Sequence, residues 1–235
     1  MILVLASIID EAAASFAREL ASDAAASLIT CADLASAPLN VRHPDFDAST
    51  ITVRGESWSV ARLAGVVNLL PAVFPDELVF YDEGEREYQA AEIHALLTFF
   101  LSSLACPVIN RATAASLTGP FLNPLGWRHL MRSVGTPLAR IDITSDAFAN
   151  PFLVSAGDEP VEVACLGQRV ITPSLTDADA RTLALASAGG VDYLRAVYLR
   201  DGDGGVRFLS AHTTPDVKSA ATRAAIADYF AARRR

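Results

Sequence analysis

At 235 residues the chain is long enough for one large domain or two small ones. Hydrophobic residues make up 51% of it and charged residues 20%, which excludes a disordered or fibrous chain. A net charge of −8 and a pI near 4.9 leave no electrostatic footprint for nucleic acid or for an anionic membrane.

The only basic run, Arg233-Arg234-Arg235, reads as a solvated tail. Cys31, Cys106 and Cys165 are far apart and odd in number, with no ligand spacing, so neither a disulfide framework nor a metal site is expected. Each cysteine sits in an apolar stretch, as a small buried hydrophobe would. The apolar start, Met1 to Leu5, lacks a preceding positive region and soon meets Asp10-Glu11, unlike a signal peptide. The longest apolar run, Ala95 to Ala105, is about half the roughly 20 residues a membrane helix needs. A soluble protein of the reducing cytoplasm is expected, with no metal and no cofactor.

Ile2–Leu5 reads as a buried strand, Glu11–Leu20 as a helix and Ser27–Cys31 as a second strand. Alternation through Thr50–Val60 around Gly55 signals a hairpin, and Gly65–Leu70 is a further strand-length apolar run. Glu85–Leu104 is the longest helix; its second half is apolar all round and is expected to be buried on every side. Cys106–Asn110 reads as a strand, and Pro124–Val134 as a helix with proline in its first turn and Gly135 at its end. Beyond it come strands at Ala139–Ile143, Phe152–Ser155, Val161–Leu166 and Arg169–Thr172, then a helix capped by Thr176. A hairpin of Val191–Leu199 and Val206–Ala211 turns at Asp201-Gly202-Asp203-Gly204-Gly205, and a last helix ends near Ala232. The pattern predicts an α/β chain: a Rossmann-like domain over 1–136, then an α+β half over 137–235.

Several passages carry a family resemblance. Gly65-Val66-Val67-Asn68, the helix around Tyr88 and Glu92, Cys106-Pro107-Val108-Ile109-Asn110 and Gly135-Thr136-Pro137 resemble, in that order, the pre-ATP-grasp domain of RimK-type ligases. Val191–Leu199 and Phe208–Pro215 are similar to the closing strands of an ATP-grasp domain. The resemblance implies ATP-dependent joining of a carboxylate to an amine, on peptides or small carboxylates, with magnesium held by an Asp, a Glu and an Asn.

The departures from that pattern are specific. At the matching positions stand Tyr198, Ser210 and His212, none of them a carboxylate. The chain has a single lysine, Lys218, where the family uses lysines on phosphate, and few residues separate Ile143 from Phe152 for the family's middle strands. The expected function is therefore a catalytically degenerate ATP-grasp-like subunit that binds or scaffolds, self-associating or paired with a biosynthetic enzyme in peptide or natural-product modification. Two alternatives stay open: a small-ligand binder or repurposed enzyme with a pocket between the halves, and a surviving ATP-dependent carboxylate–amine ligase with arginines on phosphate.

Asn68, Asn110 and Arg111 are expected at carboxyl ends of strands, where open α/β sheets bind ligands. With Trp127, Arg128 and His129 on the following helix they form the candidate ligand pocket; the plainer reading has the asparagines capping turns and the tryptophan in the core. His43-Pro44-Asp45-Phe46-Asp47 offers metal or acid/base groups, yet reads more simply as a surface turn. Glu92 and Tyr88 share a helix face and could form a buried pair or an ordinary surface one.

Overall fold

Four consecutive buried residues, Ile2–Leu5, form strand β1, as their unbroken apolar character requires of a strand covered on both faces. The structure is a computed structural model that describes residues 1–23, 25–36, 39–53, 55–120, 122–141, 159–172, 177–202 and 204–233. Asp10 accepts the Ala13 amide at 2.9 Å and so caps helix α1, Glu11–Asp23. Ala13, Phe16, Ala17 and Leu20 place one face of α1 in the core. Strand β2, Ala26–Ile29, stops short of the expected Cys31, because Asp33 takes both the amide and the hydroxyl of Thr30 at 2.8 Å. That turn opens the short helix α2, Cys31–Ser36.

Strands β3 (Leu39–Asn40), β4 (Thr50–Val53) and β5 (Glu56–Ser59) make a three-stranded antiparallel sheet that includes the expected hairpin. Strand β6, Gly65–Asn68, and strand β7, Val108–Ile109, flank the long helix α3, Arg86–Ser103. The first sheet is parallel throughout, in the order β2-β1-β6-β7, with Leu5 opposite Asn68 and Val67 opposite Ile109. This order brings the carboxyl ends of its strands to one edge. Helix α3 departs from expectation. Leu97, Phe100 and Leu101 are buried, but Leu96 and Phe99 are exposed, so its apolar end presents one face to the core and not all of them.

Helix α4, Pro124–Ser133, is capped by Asn123, whose Oδ1 accepts the Gly126 amide at 2.8 Å. It ends at Gly135, whose φ of +80° most side chains would resist. There follow β8 (Glu159–Leu166), β9 (Arg169–Val170), α5 (Ala178–Gly189), β10 (Tyr193–Arg200), β11 (Val206–His212) and α6 (Ala220–Ala232). The second sheet is antiparallel in the order β11-β10-β8-β9, with β10 between two full-length neighbours. Of the expected strand Ala139–Ile143, residues 142–143 lie outside the described residues; at its start a parallel bridge joins Leu138 to Phe208, fixed by the Ala139 amide on the Phe208 carbonyl at 2.9 Å.

Internal packing divides the chain into two units, Met1–Phe121 with Asp216–Arg235, and Leu122–Pro215. This division differs from one at residue 136: α4 falls in the second unit and α6 in the first. In the first unit α6 packs so closely on β6 that a Cβ on Gly65 would lie 2.1 Å from the Phe230 ring. Arg223 of α6 also pairs with Glu19 of α1 at 2.7 Å. The expected strand Phe152–Ser155, the span from Ile143 to Phe152, the cap Thr176, the turn residue Asp203 and Arg234-Arg235 lie outside the described residues.

Candidate functional site

The second sheet has two faces of different chemistry, and strand register assigns each side chain to one of them. Leu194, Ala196 and Tyr198 of β10 join Val163 and Cys165 of β8, and Phe208 and Ala211 of β11, in the core that includes Trp127 of α4 and Leu185 of α5. The opposite face carries Arg195 and Val197 of β10. Across β11, Arg195 is paired with His212 and Val197 with Ser210; across β8, Val197 is paired with Glu162. A bulge between Val197 and Tyr198 shifts the β11 register by one residue, so Tyr198 lies opposite Phe208.

Tyr198, Ser210 and His212, the three positions expected to match metal ligands, therefore do not share a face. Tyr198 is fully buried, its hydroxyl 2.8 Å from Thr182 Oγ1 and donating to the Ala178 carbonyl at 3.3 Å. Burial holds its phenol protonated, pushed up to about 12. Ser210 is buried, and His212 is the exposed end of β11. Although His212 ends the strand at the surface, its ring is partly desolvated, and that desolvation first, then the Arg195 cation, hold the imidazole below its ordinary value, with Glu162 opposing both. Arg195 reaches Glu162 at 3.5 Å. The residues that sequence reasoning missed are these two. Alternation along β10 puts Arg195 on the face away from Tyr198, but only the pairing of strands brings Glu162 and His212 beside it.

The six candidate pocket residues divide between the two units, three in each. In the first unit, Asn68 is fully buried; its Nδ2 donates to the Leu117 carbonyl at 2.5 Å and its Oδ1 accepts the Leu70 amide at 3.0 Å. Asn110 follows β7 on the neighbouring strand end, buried and at a φ of +52°, a conformation asparagine tolerates. Arg111 closes the end of α3, donating to the carbonyls of Leu101, Ser102, Leu104 and Cys106 at 2.8 to 3.2 Å. In the second unit, Trp127 is buried in the core, and His129 is exposed. Arg128 donates to the Phe208 carbonyl at 3.3 Å, and to that of Ala139, fastening the edge of the sheet at the bulge. Desolvation holds its guanidinium below the usual arginine range.

The other constellations are surface features. His43, Asp45 and Asp47 are exposed, as are Tyr88 and Glu92, so no buried Glu–Tyr pair exists there. Asp201 accepts from Arg207 at 2.7 Å and anchors a hairpin turn. Cys31 and Cys165 are buried and Cys106 half-buried. Among the described residues no three His, Cys, Asp or Glu side chains cluster to hold a metal ion, and no helix is long and apolar enough to cross a membrane.

The architecture, a parallel sheet in the first unit and an antiparallel, helix-backed sheet in the second, is an ATP-grasp-like fold. No family model matches the sequence, and no curated protein is similar to it. Among solved structures, the macrocyclase MdnC of Microcystis aeruginosa MRC, bound with precursor peptide MdnA, is similar at a TM-score of 0.71 and 10% identity, over 98% of this chain and 99% of that one. The ATP-grasp ligase PsnB, complexed with a phosphomimetic variant of its minimal precursor, Mg and ADP, is similar at 0.74 and 16%, over 100% and 97%. A RimK domain ATP-grasp protein of Sphaerobacter thermophilus DSM 20745 is similar at 0.55 and 12%, over 98% and 99%.

The strand positions of the face bearing His212 test poorly as a magnesium site. They offer one carboxylate, Glu162, engaged with Arg195, beside the hydroxyl of Ser210 and an imidazole. Magnesium favours several hard oxygen donors in octahedral array, and an adjacent guanidinium repels it.

Proposed function

We propose that this chain is a peptide-binding subunit on an ATP-grasp-like scaffold, serving a peptide- or natural-product-modifying system without using magnesium-ATP itself. The observation that carries the reading is the separation of Tyr198 from Ser210 and His212 on opposite faces of one sheet, with a guanidinium where metal charge is expected. Phosphoryl transfer depends on positioning and charge neutralisation, and a protonated, buried phenol supplies neither. Peptide as the partner is supported by the structural likeness to MdnC, bound with a precursor peptide, and PsnB, complexed with a precursor variant. An enzyme partner, or a second copy, would then supply the chemistry.

The same likeness favours a second reading, an ATP-dependent carboxylate–amine ligase with arginines in place of the phosphate lysines. Isothermal titration with ATP and magnesium separates the two. The proposal expects no heat at millimolar ATP and no thermal shift. Magnesium-dependent binding in the micromolar range would overturn it and establish the ligase reading as the better one.

A further inference from the structure

The first unit carries an apolar surface that its own fold leaves uncovered. Ile8 is 60% exposed, Val79 61%, Phe80 71% and Phe74 40%. They belong to two loops joined by one carboxylate: Glu77 accepts the Ile8 amide at 3.1 Å, and its own amide donates to the Phe74 carbonyl at 3.1 Å. Leu78, between these exposed residues, is fully buried in the core, so the loop is anchored with its neighbours held outward. Four large apolar side chains on pinned loops are more than scattered surface hydrophobics.

The frame around them is acidic. Asp76, Asp82, Glu83 and Glu85 are all exposed, and the one cation of the segment, Arg86, is folded back with its Nε on the Tyr81 carbonyl at 3.1 Å. An apolar centre with a one-signed rim selects a partner by charge as much as by area. We propose that this surface docks a peptide segment combining lysine or arginine with large apolar side chains. A second copy of the same acidic surface is disfavoured by like charge, as are nucleic acid and anionic lipid. The surface lies wholly in the first unit and does not rest on the nucleotide-independent reading above.

Fluorescence anisotropy of the full chain with a short labelled peptide of alternating lysine and leucine tests it, against a glutamate–leucine counterpart. The expected result is binding of the lysine peptide alone, weakening as salt shortens the screening length. Phe80→Ser, and separately the pair Asp82→Asn with Glu83→Gln, are expected to weaken it at least about fivefold. These side chains are exposed, and unchanged circular dichroism controls for folding. Absence of binding, or full affinity in the Phe80→Ser variant, would overturn the proposal. So would light scattering that shows a dimer which the Phe80→Ser substitution dissociates, since the occupant would then be a second copy.

Discussion

The hydroxyls of Tyr198 and Thr182 lie 2.8 Å apart on the helix-covered side of the second sheet, joining the middle of β10 to the first turns of α5. Thr182 donates to the Ala178 carbonyl at 2.8 Å, so the single phenol proton is shared between Thr182 Oγ1 and, at 3.3 Å, that same carbonyl, and all three groups are buried. Tyr198→Phe should lower stability by about 1 kcal/mol, the usual net worth of such a bond. Denaturant unfolding measures this directly. A loss of several kcal/mol would mean the hydroxyl has a further role.

The same phenol makes an alkaline prediction. Its folded value is pushed up to about 12 against an ordinary value of 10.0, so its contribution to stability is complete below about pH 10 and declines as pH rises toward 12. Wild type should lose stability over that window more steeply than Tyr198→Phe. Equal slopes would contradict the burial.

His212 titrates in the opposite sense. Its folded value is depressed, so both states are neutral above the unfolded value of 6.5, and stability falls as pH drops below it. Proton NMR of the imidazole should place it below 6.5, with Arg195→Met raising it partway and Glu162→Gln lowering it further. Partial desolvation is the larger cause, so Arg195→Met should not restore the ordinary value.

Gly65→Ala should cost about 1–3 kcal/mol, as overpacking does, because the new methyl would meet the Phe230 ring at 2.1 Å. Phe230→Leu combined with it should recover part of the loss relative to the sum of the single changes. A strictly additive double mutant would show that α6 and β6 do not couple there.

Arg111→Met removes four hydrogen bonds to carbonyls at the end of α3 and should cost about 1–3 kcal/mol. Hydrogen exchange should quicken in the last turn of α3, not in β7. Unchanged exchange there would argue that solvent caps the helix equally well.

Much of the element order was legible because it is local. Unbroken apolar runs such as Ile2–Leu5, alternation through Thr50–Val53 and Glu56–Ser59, and the Pro124 and Gly135 boundaries of α4 are each set by neighbours in sequence. The fold class and the ATP-grasp resemblance followed from those elements in order. Site geometry did not, since Tyr198, Ser210 and His212 line up by motif spacing while a one-residue bulge in β11 decides that Ser210 and His212 face away from Tyr198. That bulge is pinned by Arg128, a residue read from sequence as lining a pocket.

The sequence by itself determined the α/β character, the acidic charge, and the absence of carboxylates at Tyr198, Ser210 and His212, for those are properties of residue type and local period. Only the tertiary structure decided that α6 returns to the first unit, that Arg111 closes a helix, and that Arg195, Glu162 and His212 meet on one face. Such contacts join residues far apart in the chain. Strand register and close packing, as of Phe230 on Gly65, select them, and neither is encoded in any short window of sequence.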